Sequence, residues 1–268
     1  MNLKPATTPT LKNIRAFAID GDGVLYRGDE PLPGLAAFFA FLRQKSLPVA
    51  LVTNNATKTQ QSFADKLARF GVEISPAEIV TAAVATAEYL KMNFEPGTRM
   101  FAIGEGVRHA LEAAGFTLAD RDVEAVVVGM DTELTYAHLR TATVLINRGA
   151  AFIGTNPDKS FPFEGGFAPG NGAILAALTA ATGVEPFIVG KPYPPMFRLA
   201  LRTMGVDAAH AAMIGDRLET DILGGRRAGM ATILVLSGVT SPQLLAESDI
   251  QPDMVFNGLE DLLAALRA

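Results

Sequence analysis

Four apolar residues, Ala16, Phe17, Ala18 and Ile19, stop abruptly at Asp20-Gly21-Asp22-Gly23. A run this short and this uniformly apolar suits a strand buried on both faces of a parallel sheet. Carboxylates do not belong inside such a strand. They belong just past its carboxyl end, where open α/β sheets bind ligands. Side chains two residues apart on an extended chain face the same way, so Asp20 and Asp22 can address one ligand together. Two carboxylates at that range titrate as a pair, with one ionised and the other's pKa raised. The competing reading is an acidic turn, since Asp and Gly are ordinary turn residues.

The pattern recurs along the chain. Val49 to Thr53 runs into Asn54-Asn55, Phe187 to Val189 into Gly190-Lys191-Pro192, Ala212 to Ile214 into Gly215-Asp216, and Ile233 to Leu236 into Ser237-Gly238. Helical patterns separate these runs, which is the order of parallel βαβ units and of an α/β fold. Val24 to Tyr26 with the turn Arg27-Gly28-Asp29 predicts a small hairpin, and a helix follows from Leu35 to about Lys45. Thr57 and Gln60 have the spacing of a capping box for a helix carrying Phe63, Leu67 and Phe70 before Gly71. Ser241-Pro242 reads as a helix cap followed by proline at the first helical position.

Ile79-Val80 predicts a short third strand, and from Ala82 the alternation restarts, with strands at Met100 to Ile103, Val126 to Val128 and Ala151 to Gly154. The expected organisation is one sheet built from residues 1–81 and 184–268, interrupted by an inserted domain over 82–183. A chain of 268 residues accommodates both.

Composition narrows the partners. The net charge is −5 and no basic stripe appears, which argues against nucleic acid, whose phosphates demand clustered positive charge. The chain has no cysteine, which removes disulfides, thiolate metal sites and a cysteine nucleophile and suits a reducing cytoplasm. The polar amino terminus lacks the apolar core of a signal peptide, and no apolar run is long enough for a membrane span. His109, His138 and His210 are scattered without zinc spacing. Gly104-Glu105-Gly106 follows a strand, but His109 stands where a dinucleotide fingerprint needs its third glycine. No G-x-S-x-G elbow occurs.

Four polar strand ends in one order, DGDGV, VTNN, GKP and GDRLETD, resemble the haloacid dehalogenase superfamily of phosphohydrolases. About a hundred residues separate VTNN from GKP, which resembles subfamily IIA with a C2 cap, the NagD, p-nitrophenyl phosphatase, phosphoglycolate and pyridoxal phosphatase group. LVTNNATKT, TNPD, GKPYPPMF, GDRLETDILGG and LVLSGV extend the likeness over nearly the whole chain. The resemblance implies a Rossmann-like parallel-sheet core with an inserted α/β cap domain, and a Mg²⁺-dependent phosphatase of small phosphorylated metabolites: sugar phosphates, phosphoglycolate, nucleoside monophosphates or pyridoxal phosphate.

By the same resemblance, Asp20 is the nucleophile that forms an aspartyl-phosphate. Asp22 protonates the leaving oxygen and then deprotonates water. Mg²⁺ is held by Asp20, Asp216 and the main-chain carbonyl of Asp22. Asp221 holds partners in place. Thr53, the Asn54 backbone amide and Lys191 bind the phosphoryl oxygens. Asn156, Pro157 and Asp158 resemble the family's substrate-facing cap loop, against which stands an ordinary Asn-Pro turn. Asn171 in PGNGA is less usual for the family, as is Gly21, where relatives carry a larger apolar residue. Alternatives on the same fold are a phosphotransferase using the same intermediate and a non-catalytic sensor of phosphate ligands. Homo-oligomerisation is left open.

Overall fold

The computed structural model describes residues 10–163 and 166–268. Six strands form one sheet, in the order Met254–Phe256, Ala231–Val235, Ala211–Gly215, Ala16–Ile19, Val49–Thr53 and Ile79–Thr81. Ala16–Ile19 lies near the middle and runs parallel to both neighbours, with Phe17 opposite Ala212 on one side and Val49 on the other. All four of its residues are buried, as are all five of Ala211–Gly215. This double-sided burial explains why these strands read as continuous apolar runs rather than alternating ones. Phe17 meets Phe38 of the helix Leu35–Gln44 edge to face, with ring centroids 6.1 Å apart, and burial of each such ring contributes about 1.5–3 kcal/mol.

Strand order fixes where a ligand belongs. From Ala16–Ile19 the chain builds outward through Val49–Thr53 to Ile79–Thr81, and later returns to the opposite side through Ala211–Gly215. The winding therefore reverses beside Ala16–Ile19, and a crevice opens outside the strand ends at such a switch point. Asp20 and Asp216 each follow immediately on one of the two strands that flank it.

A second sheet of five strands has the order Phe187–Ile188, Ala151–Gly154, Ala125–Val128, Arg99–Ile103 and Thr117–Leu118, all parallel. Phe101, Ile103, Val126 and Val128 pack with Ala142, Leu145 and Ile146 of the helix Tyr136–Asn147, and with Leu175 and Leu178 of Asn171–Thr182, to form its core. Ser160–Phe163 and Gly166–Pro169 pair as an antiparallel hairpin. No helix among the described residues is long and apolar enough to cross a membrane.

The chain divides into two compact units. One holds the described residues up to Val52, with Ala64–Ile79 and Ala200–Ala268; the other holds Thr53–Phe63 and Val80–Leu199. The α/β class is as the sequence implied, but the strand before Gly190-Lys191 does not return to the first sheet. Phe187–Ile188 pairs with Ile153 and Gly154 in the second, which carries the residues after Gly183 into the second unit. A two-residue edge strand has no side-chain pattern of its own, so its partner is set by what flanks it.

Two local expectations need the same treatment. Ser241 caps the helix Pro242–Glu247 by accepting from the Leu244 N–H, as read. Thr57 does not cap Gln60–Arg69. Its N–H and hydroxyl both donate to Asn55 Oδ1, and Thr59 takes the cap by accepting from the Ser62 N–H at 3.2 Å.

Candidate active site

In the first unit the sheet ladder continues one residue past Ala16–Ile19, since the Asp20 N–H donates to Ile214 O at 2.9 Å. This holds Asp20 level with the end of the neighbouring strand, where Gly215 gives way to Asp216. Asp221 arrives from the π-helical turn Leu218–Ile222 and is fully buried. Asp20, Asp216 and Asp221 each offer a carboxylate oxygen, and the three oxygens lie within 4.8 Å of one another.

Each partner carboxylate is aimed by a backbone amide. Asp216 Oδ2 accepts from the Val239 N–H at 2.7 Å, and Asp221 Oδ2 accepts from the Arg217 N–H at 3.1 Å. Glycines leave the room: a Cβ at Gly23 or Gly238 would collide with Asp216 Oδ2, and one at Gly215 with Asp221. Gly23 also has φ +85°, a conformation other residues rarely adopt. Three hard, anionic oxygens brought together in a mostly buried niche are a donor set for a divalent cation with oxygen preference. Asp221, read from sequence as a supporting group, is thus a member of the carboxylate cluster itself.

Asp22 is not a member of that cluster and is exposed. Desolvation of its carboxyl pushes the pKa above the usual 3.8, outweighing Lys66, Arg217, Arg27 and the Gly23 N–H, which pull it down. One strand end thus carries a carboxylate built into an anionic cluster and a second that is easier to protonate. Behind them Tyr26 is buried, and its pKa is raised by desolvation and by the charges of Asp20 and Asp22. Lys66 Nζ lies 3.9 Å from the centroid of the Tyr26 ring and donates to Gly28 O.

The second unit gathers the other polar strand ends. Thr53 closes the strand Val49–Thr53, and its Oγ1 accepts from the Asn55 N–H. Asn54, Asn156, Asn171 and Lys191 are all buried. Asn54 accepts from the Lys191 N–H and donates to Lys191 O and to Asp158 Oδ1. Asn156 donates to Asn54 O at 2.8 Å and accepts from the Asp158 N–H, which makes the Asn156-Pro157-Asp158 segment an Asx turn. Asn171, at the start of the helix Asn171–Thr182, donates to Asn156 O at 2.8 Å.

Tyr26 and Lys66 were not read from the sequence as parts of a site; Asn54, Asn156 and Asn171 were named, but not the hydrogen bonds that join them. Lys66 had a signal: it occupies a position between Phe63 and Phe70 on the apolar stripe of its helix, where a lysine needs a buried partner. The links between the amides had none, because a buried asparagine looks like any turn residue until its partners are known.

The first unit thus carries an open sheet with a winding reversal and a cluster of three carboxylates, two at strand ends and one from the turn that follows. Two family models match: the haloacid dehalogenase-like hydrolase model over residues 17–117 and the HAD-hydrolase-like model over residues 188–262. The acid sugar phosphatase of Staphylococcus saprophyticus is 40% identical over 258 residues, covering 96% of this chain and 99% of its own. Among solved structures, the 4-nitrophenylphosphatase of Thermotoga maritima superposes with a TM-score of 0.91 at 35% identity, covering 96% and 98% of the two chains. NagD from Escherichia coli K-12 does so at 0.86 and 36% identity, covering 92% and 97%. The chain belongs to the haloacid dehalogenase superfamily, subfamily IIA, and is a phosphoric monoester hydrolase.

Proposed function

We propose that this enzyme is a Mg²⁺-dependent phosphatase of small phosphomonoesters, with sugar phosphates the first class to test, working through an aspartyl-phosphate on Asp20 in the cytoplasm. The observation that carries the reading is the carboxylate triad of Asp20, Asp216 and Asp221 beside a separate, protonatable Asp22. Phosphoglycolate, nucleoside monophosphates and pyridoxal phosphate are the further classes. The acid sugar phosphatase and 4-nitrophenylphosphatase names of its relatives support the order of testing.

In the first half-reaction an Asp20 carboxylate oxygen attacks phosphorus. The bond from phosphorus to the ester oxygen breaks, and Asp22 delivers its proton to that oxygen as it leaves. In the second, Asp22 takes a proton from water as the water attacks the aspartyl-phosphate, and the bond from phosphorus to Asp20 breaks. Free Asp20 and inorganic phosphate result. The raised pKa of Asp22 favours the protonated form that the first step needs.

An anionic nucleophile meeting an anionic ester is repelled, so positive charge decides the rate. Asp20, Asp216 and Asp221 fit a Mg²⁺ ion, with the Asp22 main-chain carbonyl a further ligand. The ion supplies charge neutralisation at phosphorus. Lys191, the Thr53 hydroxyl and the Asn54 backbone amide are proposed to hold the phosphoryl oxygens, and Asn156 and Asp158 to belong to the substrate-facing loop of a cap that contains residues 82–183.

The test is phosphate release from p-nitrophenyl phosphate and from sugar phosphates, by the wild type and by Asp20→Asn, with Mg²⁺ and with chelator. Turnover that needs both Mg²⁺ and Asp20 is expected. Metal-independent turnover, or turnover that survives Asp20→Asn, would overturn the mechanism.

A further inference from the structure

We propose that the Asn54 side chain is the positioning residue for Lys191, acting on substrate only through the placement of that lysine. The inference rests on the reading of Lys191 as the phosphoryl clamp.

The geometry is that of a one-residue strand partner. The Asn54 amide accepts from the Lys191 N–H at 2.8 Å and donates to Lys191 O at 3.1 Å. These two groups flank the Lys191 Cα on either side, so one planar amide holds both main-chain polar groups of the same residue, as a neighbouring strand would in a ladder. The torsions about the Cα are thereby fixed, and with them the direction of its Cα–Cβ bond. Pro192 follows and has no N–H to offer a competing partner. Lys191 is only 2% exposed, so its direction is not left to solvent.

The Asn54 amide has no N–H left over for a phosphoryl oxygen. Its oxygen serves Lys191, and its two N–H groups serve Lys191 O and Asp158 Oδ1, the latter at 3.2 Å. Its own backbone is held in turn, because Asn54 O accepts from Asn156 Nδ2 and Asn156 O accepts from Asn171 Nδ2. Close packing seals the clasp: a Cβ on Gly190 would stand 2.7 Å from Asn54 Oδ1. The lysine is thus fixed by a buried chain of amides that ends at the first turn of Asn171–Thr182. The amide donors along this chain are paired, while Asn171 Oδ1 at its far end is buried without a hydrogen-bond partner among the described residues.

The test is a double-mutant cycle read by calorimetric binding of inorganic phosphate to the Mg²⁺-loaded protein, which needs no turnover. The members are wild type, Lys191→Ala, Asn54→Ala and the double variant, each with its thermal unfolding recorded. Asn54→Ala is expected to weaken phosphate binding about tenfold and Lys191→Ala by at least as much, while the double variant binds like Lys191→Ala alone. Full additivity of the two losses would overturn the inference, since Asn54 would then act independently of the lysine, and so would unchanged binding by Asn54→Ala. Unchanged binding by Lys191→Ala would overturn the clamp reading and the inference with it. If Asn54→Ala fails to fold, Asn54→Asp replaces it in the cycle. That variant keeps the acceptor for the Lys191 N–H but loses the donor to Lys191 O. The carboxylate also adds a charge that repels phosphate by itself, so for that variant the coupling is read from the change in the lysine's contribution, and an unchanged loss on Lys191→Ala in the Asn54→Asp background would overturn the inference.

Discussion

The Tyr26 hydroxyl occupies the place where a side chain on Gly21 would begin, 2.5 Å from the position of a Cβ built there, with the ring carbon Cζ at 3.1 Å. This accounts for a glycine between the two aspartates: the space is filled from the hairpin side. Any larger residue at 21 displaces either the tyrosine or the loop that carries Asp20 and Asp22.

Gly21→Ala is therefore expected to cut turnover of p-nitrophenyl phosphate severalfold and lower the melting temperature, whereas Gly21→Ala/Tyr26→Phe recovers much of both. Removal of the hydroxyl takes away the 2.5 Å conflict and leaves a tight but yielding contact at 3.1 Å. A double variant no better than Gly21→Ala would rule out the steric pairing.

Gly23 carries a harsher constraint, because its φ of +85° adds to the collision with Asp216 Oδ2. Gly23→Ala is expected to lose about 1–2 kcal/mol of stability from the left-handed backbone, and to weaken Mg²⁺ binding by displacing one of the three carboxylates. Denaturant unfolding in chelator reports the first effect and direct metal titration the second. Intact metal affinity in Gly23→Ala would detach Asp216 from the cation site.

Much of this arrangement was legible because the sheet is buried on both faces. Ala16–Ile19 and Ala211–Gly215 have no alternation to confuse them with a half-exposed strand, and the polar residue after each has one sensible location. What stayed hidden depends on pairing across the chain. Nothing in Phe187-Ile188 says which sheet it joins, and nothing in NNATKT says that Thr59 rather than Thr57 caps the helix while Asn55 holds Thr57. Asp221 reads from the sequence as a supporting group, yet the π-helical turn carries it inward to the other carboxylates.

The pKa of Asp22 has a consequence for stability with a definite sign. Its native pKa lies above the ordinary 3.8, so between the two values the folded chain retains a proton that the unfolded chain has released. Stability is fully present below the ordinary value and is lost as pH rises through the native one. Asp22→Asn abolishes that loss. In chelator, the variant is expected to melt above the wild type at neutral pH, with the gap closing below pH 4; because Asp22 is open to solvent, the effect is small. Its turnover falls about 10²–10⁴-fold, the usual worth of a general acid. Equal melting temperatures at every pH would mean that Asp22 is unperturbed.

Lys66 opposes that shift, since its charge is the first of the groups that lower the Asp22 pKa. Lys66→Met keeps the aliphatic stem packed but removes the cation above Tyr26 and the donor to Gly28 O. Loss of that charged hydrogen bond costs about 1.5–3 kcal/mol. With the charge gone, Asp22 holds its proton to higher pH, and the alkaline limb of kcat for an alkyl phosphate, whose leaving group needs protonation, moves upward. Lys66→Arg restores a charge and is expected to move the limb back toward the wild-type position. A limb that stays fixed in Lys66→Met would assign the titration to a group other than Asp22, and the choice of ester provides a control, because p-nitrophenolate leaves with little help and its hydrolysis should barely register the change.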